Sequence, residues 1–438
     1  MTGRENPSQP RSSALPAPLF ERFHNRSARV AVIGLGYVGL PLAVALAAAG
    51  YEVVGIDLNE AKVDAVNRGR SYIADVTDTA LRGQAARLRA TSDYAVLREC
   101  DAVSICLPTP LDQSGAPDTS HIVASGREIA LHLHPGLTVI LESTSYPGTT
   151  SELLLPLLEA AARPRGWRVG EAFFLAFSPE RVDPGRSDWT IQTTPKIIAG
   201  VTENCLTAAR ALYEQVFDTL VPVSSPSTAE MAKLFENTFR FVNISLVNEL
   251  LQMCDKLGLD TGQVLEAAAT KPFGFTRFSP GPGVGGPCIP VDPHYLAWKM
   301  RSANGCARFV ELAGRINAEM PGFWVRKVQE ALDGVGKELK GSRVLVLGAA
   351  YKPDVADARE SAAIEILRLL LQEEAAASYH DPYITSLADA GVPLASVVEL
   401  DGEVGKADCV VIATAHSIYD RANLAGKAAI LLDTSFFD

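Results

Sequence analysis

The stretch RVAVIGLGYVGLPLAVALAAAGYEVVGID, residues 29–57, decides how the whole chain is read. Its run Arg29–Ile33 is apolar and β-branched, residues 40–49 are rich in alanine and leucine, and Glu52–Ile56 is a second apolar run. Strand, glycine loop, helix and strand in that order make a βαβ unit. The loop is Gly34-Leu-Gly36-Tyr37-Val38-Gly39. Glycines there let the backbone turn and approach a pyrophosphate, whose charge is met by the N-terminus of the following helix. Asp57 closes the second strand about 20 residues on, where a carboxylate receives ribose hydroxyls. It would repel a 2′-phosphate and no arginine follows it, so the expected cofactor is NAD rather than NADP. The plainer reading of the same residues is a tight strand-to-helix turn with a salt-bridged aspartate.

Further short apolar runs at 102–106, Thr138–Leu141, 173–177 and Lys196–Gly200 are bounded by Pro, Gly or acidic residues. Alternating strands and helices predict a mostly parallel, doubly wound sheet. Residues 228–257 lack Pro and Gly and repeat apolar residues at helical spacing, from Met231 and Leu234 to Leu246 and Leu250. They predict one long helix, capped at Ser227 or Thr228 and ended by Gly258. Residues 272–295 are too rich in Gly and Pro for regular structure, and so long and constrained a loop is unusual unless it has a task. From Arg343 a second α/β pattern opens with RVLVLG, then a helix at 361–373 and strands at 377–379 and 409–413. The expected fold is α/β: two Rossmann-like, doubly wound domains joined by a long central helix and a helical middle domain. The expected boundaries are a mobile tail at 1–27, a cofactor domain at 28–222, the helical middle at 223–335 and a second nucleotide domain at 336–438.

Composition narrows the function. A chain of 438 residues exceeds one ordinary core, and 47% hydrophobic with 21% charged residues is globular. The net charge of −11 argues against nucleic acid and anionic membranes as partners. A phosphorylated ligand would need individually placed cations and backbone N–H groups. No apolar run reaches the roughly 18 residues that span a bilayer, and the Pro/Ser/Arg-rich start has no signal-peptide core. Cysteines 100, 106, 205, 254, 288, 306 and 409 form no CxxC pair. That pattern predicts reduced thiols in the cytoplasm, with neither a disulfide framework nor a metal site.

The most informative loop is Gly281-Pro-Gly283-Val-Gly-Gly-Pro287-Cys288-Ile-Pro-Val-Asp292. Glycines around a thiol admit a ligand closely. A thiol adds to an aldehyde to give a thiohemiacetal, whose carbon still carries a hydride; removal of that hydride leaves a thioester that water cleaves to a carboxylate. The residues alone leave two readings for Cys288, this nucleophile or a small buried thiol. Asp292 reads either as a proton acceptor or as a turn former.

Five stretches, ESTSYPGTT (142–150), FSPERVDPG (177–185), EMAKLFENTFR (230–240), GPGVGGPCIPVDP (281–293) and AYKPDVADARES (350–361), resemble the UDP-glucose/GDP-mannose dehydrogenase family in the same order. The resemblance covers nearly everything from Arg29 onward. AATKPFGFTRFSPGPG (268–283) is similar to the branch acting on UDP-N-acetylhexosamines, above all UDP-N-acetylglucosamine. UDP-N-acetylmannosamine and UDP-glucose stand as alternatives, and a catalytically silent NAD- or nucleotide-binding regulatory protein as the alternative of another class.

The resemblance implies a four-electron oxidation of the sugar C6 hydroxyl to a uronate by two NAD, with Cys288 as nucleophile. It implies that Lys233 and Asn237 stabilise oxyanions, and their i, i+4 spacing puts them on one helix face. On spacing alone they read as a solvated lysine and a surface asparagine. Thr144 with Asp292 would hold a water that relays a proton, and Glu180 would act as acid/base; otherwise Thr144 is a turn residue and Glu180 a helix-start carboxylate. Pro108, Thr109, Ser143 and Thr144 are implied to line the cofactor alongside the glycine loop and Asp57. Glu180, Arg181, Lys233, Asn237, Phe275, Gly281, Gly283, Lys352 and Arg359 are implied to contact the UDP-sugar, Arg359 at its phosphates. A homodimer through the central helix is implied as well. Pro287 departs from the N-acetylhexosamine branch, which has His before the cysteine; Pro removes a backbone donor and restricts Gly286.

Overall fold

The structure, a computed structural model, describes residues 17–73, 75–112, 114–182 and 188–435. The chain divides into two compact units between Leu234 and Phe235, each with its own sheet.

In the first unit the strands are β1 (Arg29–Ile33), β2 (Glu52–Ile56), β3 (Leu88–Thr91), β4 (Ala102–Ile105), β5 (Thr138–Leu141), β6 (Phe174–Phe177), β7 (Lys196–Gly200) and β8 (Leu220–Pro222). They form one sheet in the order β3-β2-β1-β4-β5-β6-β7-β8. All pair in parallel except β7 with β6, which is antiparallel. β1, β4, β5 and β6 are buried almost throughout, as a sheet covered on both faces requires. Order reverses between β1 and β4, and at such a switch point the strand ends open a crevice for a ligand. The helix Gly39–Ala48 buries seven residues and has Val38 at its N-cap without a capping side chain.

The expected tail is shorter than its composition suggests. Residues 1–16 lie outside the described residues, but Ala17–His24 is a helix. Leu19 and Phe23, one turn apart, are buried in the core, and the Phe23 carbonyl accepts the Tyr51 hydroxyl at 2.6 Å. Two such side chains contribute about 1.5–3 kcal/mol each, enough to dock a short helix.

The second unit contains β9 (Arg343–Leu347), β10 (Ala376–His380), β11 (Cys409–Ile412) and β12 (Leu431–Asp433), all parallel, in the order β10-β9-β11-β12. Met320, Phe323, Trp324, Val325, Val328 and Leu332 of the helix Arg308–Asp333 share one core with β9, β11 and the helix Ala362–Gln372. The 26-residue helix keeps an apolar stripe over its second half, so it packs on the sheet rather than forming a core of its own.

The central helix is Pro226–Leu257. Its N-cap is Ser225, whose hydroxyl accepts the Thr228 N–H at 3.2 Å, rather than Ser227 or Thr228; Pro226 fits the first helical position, where no N–H is needed. Gly258 takes φ +67 just past its end, as the pattern predicts. Regular structure resumes earlier than expected after the cysteine loop: Asp292 begins the helix Asp292–Ser302, and Pro293 is accommodated in its first turn. Among the described residues no helix is long and apolar enough to cross a membrane.

Candidate active site

At the end of β1, Gly34 has φ +88, and a Cβ there would stand 2.5 Å from the Cys106 carbonyl oxygen. A Cβ on Gly39 would strike the Gly34 carbonyl. These two glycines close the turn. Gly36 is different: a Cβ there would meet nothing within 4 Å, so it borders open space at the uncapped N-terminus of Gly39–Ala48. Tyr37 is partly exposed beside it and Val38 half-buried.

Asp57 accepts the Leu35 N–H on Oδ2 and the Asn59 N–H on Oδ1, both at 2.9 Å, and meets Lys62 at 3.4 Å. The plainer reading of Asp57 is therefore realised too, since it braces the loop and forms an ion pair. A carboxylate has about four acceptor sites, so capacity for ribose hydroxyls remains. Open space at Gly36, a helix start without a capping side chain and the Asp57 carboxylate together fit NAD.

The loops after β4 and β5 are tied to each other. Ser143 Oγ accepts the Leu107 N–H at 2.8 Å and donates to the Ile105 carbonyl at 3.2 Å, and Thr109 Oγ1 donates to the Thr144 carbonyl at 2.5 Å. Pro108 lies exposed between them, and Thr144 is half-buried.

Glu180 follows β6, and the structure gives it partners that sequence reasoning missed. Its Oε1 accepts the Arg181 and Val182 N–H groups at 2.7 and 2.8 Å, and its Oε2 meets Lys196 Nζ at 3.2 Å. Lys196 Nζ also donates to Glu142 Oε2 at 2.8 Å. Tyr213, itself 2.9 Å from Ser104 Oγ, donates to the other Glu142 oxygen. Burial pushes Glu180 up, but the Lys196 ammonium and two backbone donors outweigh it and hold the carboxyl below its ordinary range. For Glu142 burial wins and its pKa rises despite Lys196. Arg181 Nη1 donates to the Pro195 carbonyl at 2.6 Å. The only sequence signal for Lys196 was a charge opening an otherwise apolar strand.

Glu230, also missed, sits on the first turns of the central helix. It accepts the Gly148 and Thr150 N–H groups at 2.6 and 2.8 Å and the Thr150 hydroxyl at 2.6 Å. The Thr144 loop is thereby fastened three residues before Lys233.

Lys233 is buried, and among the described residues no ion pair to it is found. Asn237 is buried one turn later and donates from Nδ2 to Asp292 Oδ2 at 2.5 Å. Asp292 is buried, and its N–H reaches back to the Cys288 carbonyl at 2.8 Å, closing the turn that presents the exposed Cys288 thiol. The second unit thus brings Asn237, Asp292 and Cys288 together, whereas Thr144, Glu180 and Lys233 lie in the first.

The rest of the cysteine loop is held by glycines. Gly281 donates its N–H to Asn248 at 2.9 Å, and a Cβ on Gly283 would stand 3.2 Å from that of Ala362. Gly286, at φ +96, tolerates the restriction Pro287 imposes, and donates its N–H to the Arg359 carbonyl at 3.1 Å. Phe275 is partly exposed. Lys352 is half-buried, while the Arg359 guanidinium, half exposed, grips Asp357 through Nε and Nη2. Among the described residues no His, Cys, Asp and Glu cluster is arranged to hold a metal.

Residues 28–217, 227–319 and 345–438 match the NAD-binding, central and UDP-binding domain models of the UDP-glucose/GDP-mannose dehydrogenase family. The chain is 35% identical to UDP-N-acetyl-D-glucosamine 6-dehydrogenase of Pseudomonas aeruginosa over 89% of its length and 90% of that protein. It is 35% identical to UDP-N-acetyl-D-mannosamine dehydrogenase of Pyrococcus horikoshii over 90% and 91%. Among solved structures, the UDP-D-ManNAc dehydrogenase from Pyrococcus horikoshii aligns with a TM-score of 0.84 at 33% identity, covering 93% of this chain and 95% of that one. A UDP-glucose dehydrogenase from Pyrobaculum islandicum aligns at 0.82 and 28% identity, covering 98% and 99%. With the glycine cradle, the sheet order and three successive domain matches in agreement, the chain belongs to the UDP-glucose/GDP-mannose dehydrogenase family and is an NAD-dependent nucleotide-sugar oxidoreductase.

Proposed function

We propose that the protein is a UDP-N-acetylhexosamine 6-dehydrogenase, with UDP-N-acetylglucosamine as its foremost substrate, that oxidises the C6 hydroxyl to the uronate through Cys288. The observation that carries this reading is the exposed thiol held on a glycine loop, one turn before the buried Asp292–Asn237 pair. NAD, when bound, supplies the hydride acceptor for each of the two oxidations. A water held by Thr144 and Asp292 takes the proton as the alcohol becomes an aldehyde, and Glu180, beside Lys196, is the acid/base of the later steps. Cys288 Sγ then adds to the aldehyde carbon, and Lys233 and Asn237 face the oxyanion that forms. Loss of the second hydride leaves a Cys288 thioester. Water cleaves it, returning the thiol and releasing the carboxylate. Thr144 and Asp292 serve the proton transfers.

UDP-N-acetylmannosamine is the second reading, supported by the Pyrococcus horikoshii alignments. The test is NADH release with UDP-N-acetylglucosamine, its manno and galacto epimers and UDP-glucose side by side. Two NADH per uronate, fastest with UDP-N-acetylglucosamine, are expected. One NADH per sugar with aldehyde accumulating would rule out the four-electron reading, and a faster manno epimer would reassign the sugar.

We also propose a homodimer through the central helix. Met231, Phe235, Phe239, Leu246, Met253 and Leu257 recur along it every four or seven residues, and all are exposed in the single chain. Burying such a row on a second copy removes apolar surface that a lone helix leaves in water. Light scattering should report a dimer, and Phe239→Glu should shift it toward monomer; a monomeric parent protein ends the proposal.

A further inference from the structure

The two units repeat one local design with one change. In each, the first strand ends in a glycine of positive φ, +88 at Gly34 and +83 at Gly348. Each glycine donates its N–H to the carbonyl closing the second strand, Ile56 at 2.7 Å and His380 at 2.9 Å. The next N–H in each goes to the acid after that strand, Leu35 to Asp57 at 2.9 Å and Ala349 to Asp381 at 2.7 Å. Asp57 keeps 12% of its side chain exposed, but the Asp381 side chain has none. Asp381 Oδ2 accepts from Ala349, Ala350 at 2.9 Å and His416 Nε2 at 2.9 Å; Oδ1 accepts the N–H groups of Tyr383 at 2.8 Å and Ile384 at 2.9 Å. Five donors exceed the usual capacity of a carboxylate, so no ribose hydroxyl can be received there.

The sealed acid has become a bracket for the segment that follows. His416 Nδ1 accepts the Asp354 N–H at 2.9 Å, which leaves the ring proton on Nε2, facing Asp381. Thr414 Oγ1 donates to the Ala350 carbonyl at 2.7 Å. Residues 349, 350 and 354 are thus pinned on either side of Tyr351 and Lys352. Asp354 sits at φ +58, costly for a non-glycine residue, and accepts from the Ser417 N–H and hydroxyl, both at 3.0 Å. From there the contacts run to the cysteine loop. The Tyr351 ring lies where a Cβ on Gly286 would come within 2.8 Å, and Gly286 donates to the carbonyl of Arg359 at the far end of the same segment.

We propose that His416 and Asp381 are positioning residues: they hold segment 349–360 so that the cations facing the nucleotide diphosphate and the loop bearing Cys288 keep a common register. The inference rests on the reading that this segment binds the UDP-sugar and Cys288 reacts with it. His416→Phe removes both ring hydrogen bonds while keeping a flat ring. In the full-length protein, calorimetry should show UDP affinity falling about tenfold, the scale expected when supporting contacts let a site loosen by about an ångström. NAD affinity should stay within about twofold, because its site belongs to the other unit. The rate of Cys288 alkylation by iodoacetamide should change as well, which a local packing defect far from the thiol would not cause. Unchanged UDP affinity and alkylation overturn the inference, as does an equal loss of UDP and NAD affinity. Should the Phe variant not fold, His416→Asn decides: it keeps an acceptor for the Asp354 N–H and loses the donor to Asp381, and parental UDP affinity there overturns the inference. Failure of the parent protein to bind UDP would instead remove the reading beneath it.

Discussion

Cys288→Ala is expected to abolish uronate formation, lowering steady-state NADH production by at least about 10³-fold. Without the thiol the aldehyde has no covalent anchor, so the second oxidation loses the thiohemiacetal from which its hydride departs. The first oxidation does not need the sulfur, and a rapid burst of up to one NADH per site should survive. Cys288 is exposed, so its truncation opens no core cavity and the melting temperature should hold. Rapid-quench measurement of NADH and uronate separates the outcomes. Full turnover to uronate in the variant would show that another group carries the acyl intermediate.

Lys233→Met is expected to lower kcat by about 10²–10³-fold, the range found when one oxyanion donor is removed. KM for the UDP-sugar should move much less, because charge develops on the oxygen only as the reaction proceeds. Stability supplies an independent check. Burying an ammonium costs several kcal/mol unless it is paired, and Lys233 has no ion pair among the described residues. Its replacement by a methionine of similar length should therefore leave the melting temperature unchanged or raise it. A clear drop would mark Lys233 as structural, and an unchanged kcat would remove it from the oxyanion site.

Much of this was legible because it is local. The glycine loop, β1, β2 and the helix between them are encoded by apolar periodicity and turn residues within one short stretch, as are the start of β9 and the end of the central helix at Gly258. β3, β8 and β12 escaped notice because, unlike the equally short β4, β5 and β6, none is a fully buried apolar run. The antiparallel direction of β7 was invisible, since an apolar run reads the same whichever way its strand runs. Leu19 and Phe23 were passed over because the residues before them are polar, although their one-turn spacing was there to be read.

By itself, then, the sequence determined the α/β class, the glycine loop after β1 and the loop that carries Cys288, because each depends on neighbours in the chain. Only the tertiary structure decided which buried charges have partners. Lys196 meets Glu142 from 54 positions away, Asn237 meets Asp292 from 55, and His416 meets Asp381 from 35. A buried charge is costly unless an opposite charge or a hydrogen-bonding group offsets it, and which residue supplies it is set by how strand ends converge in space, a property no local pattern contains.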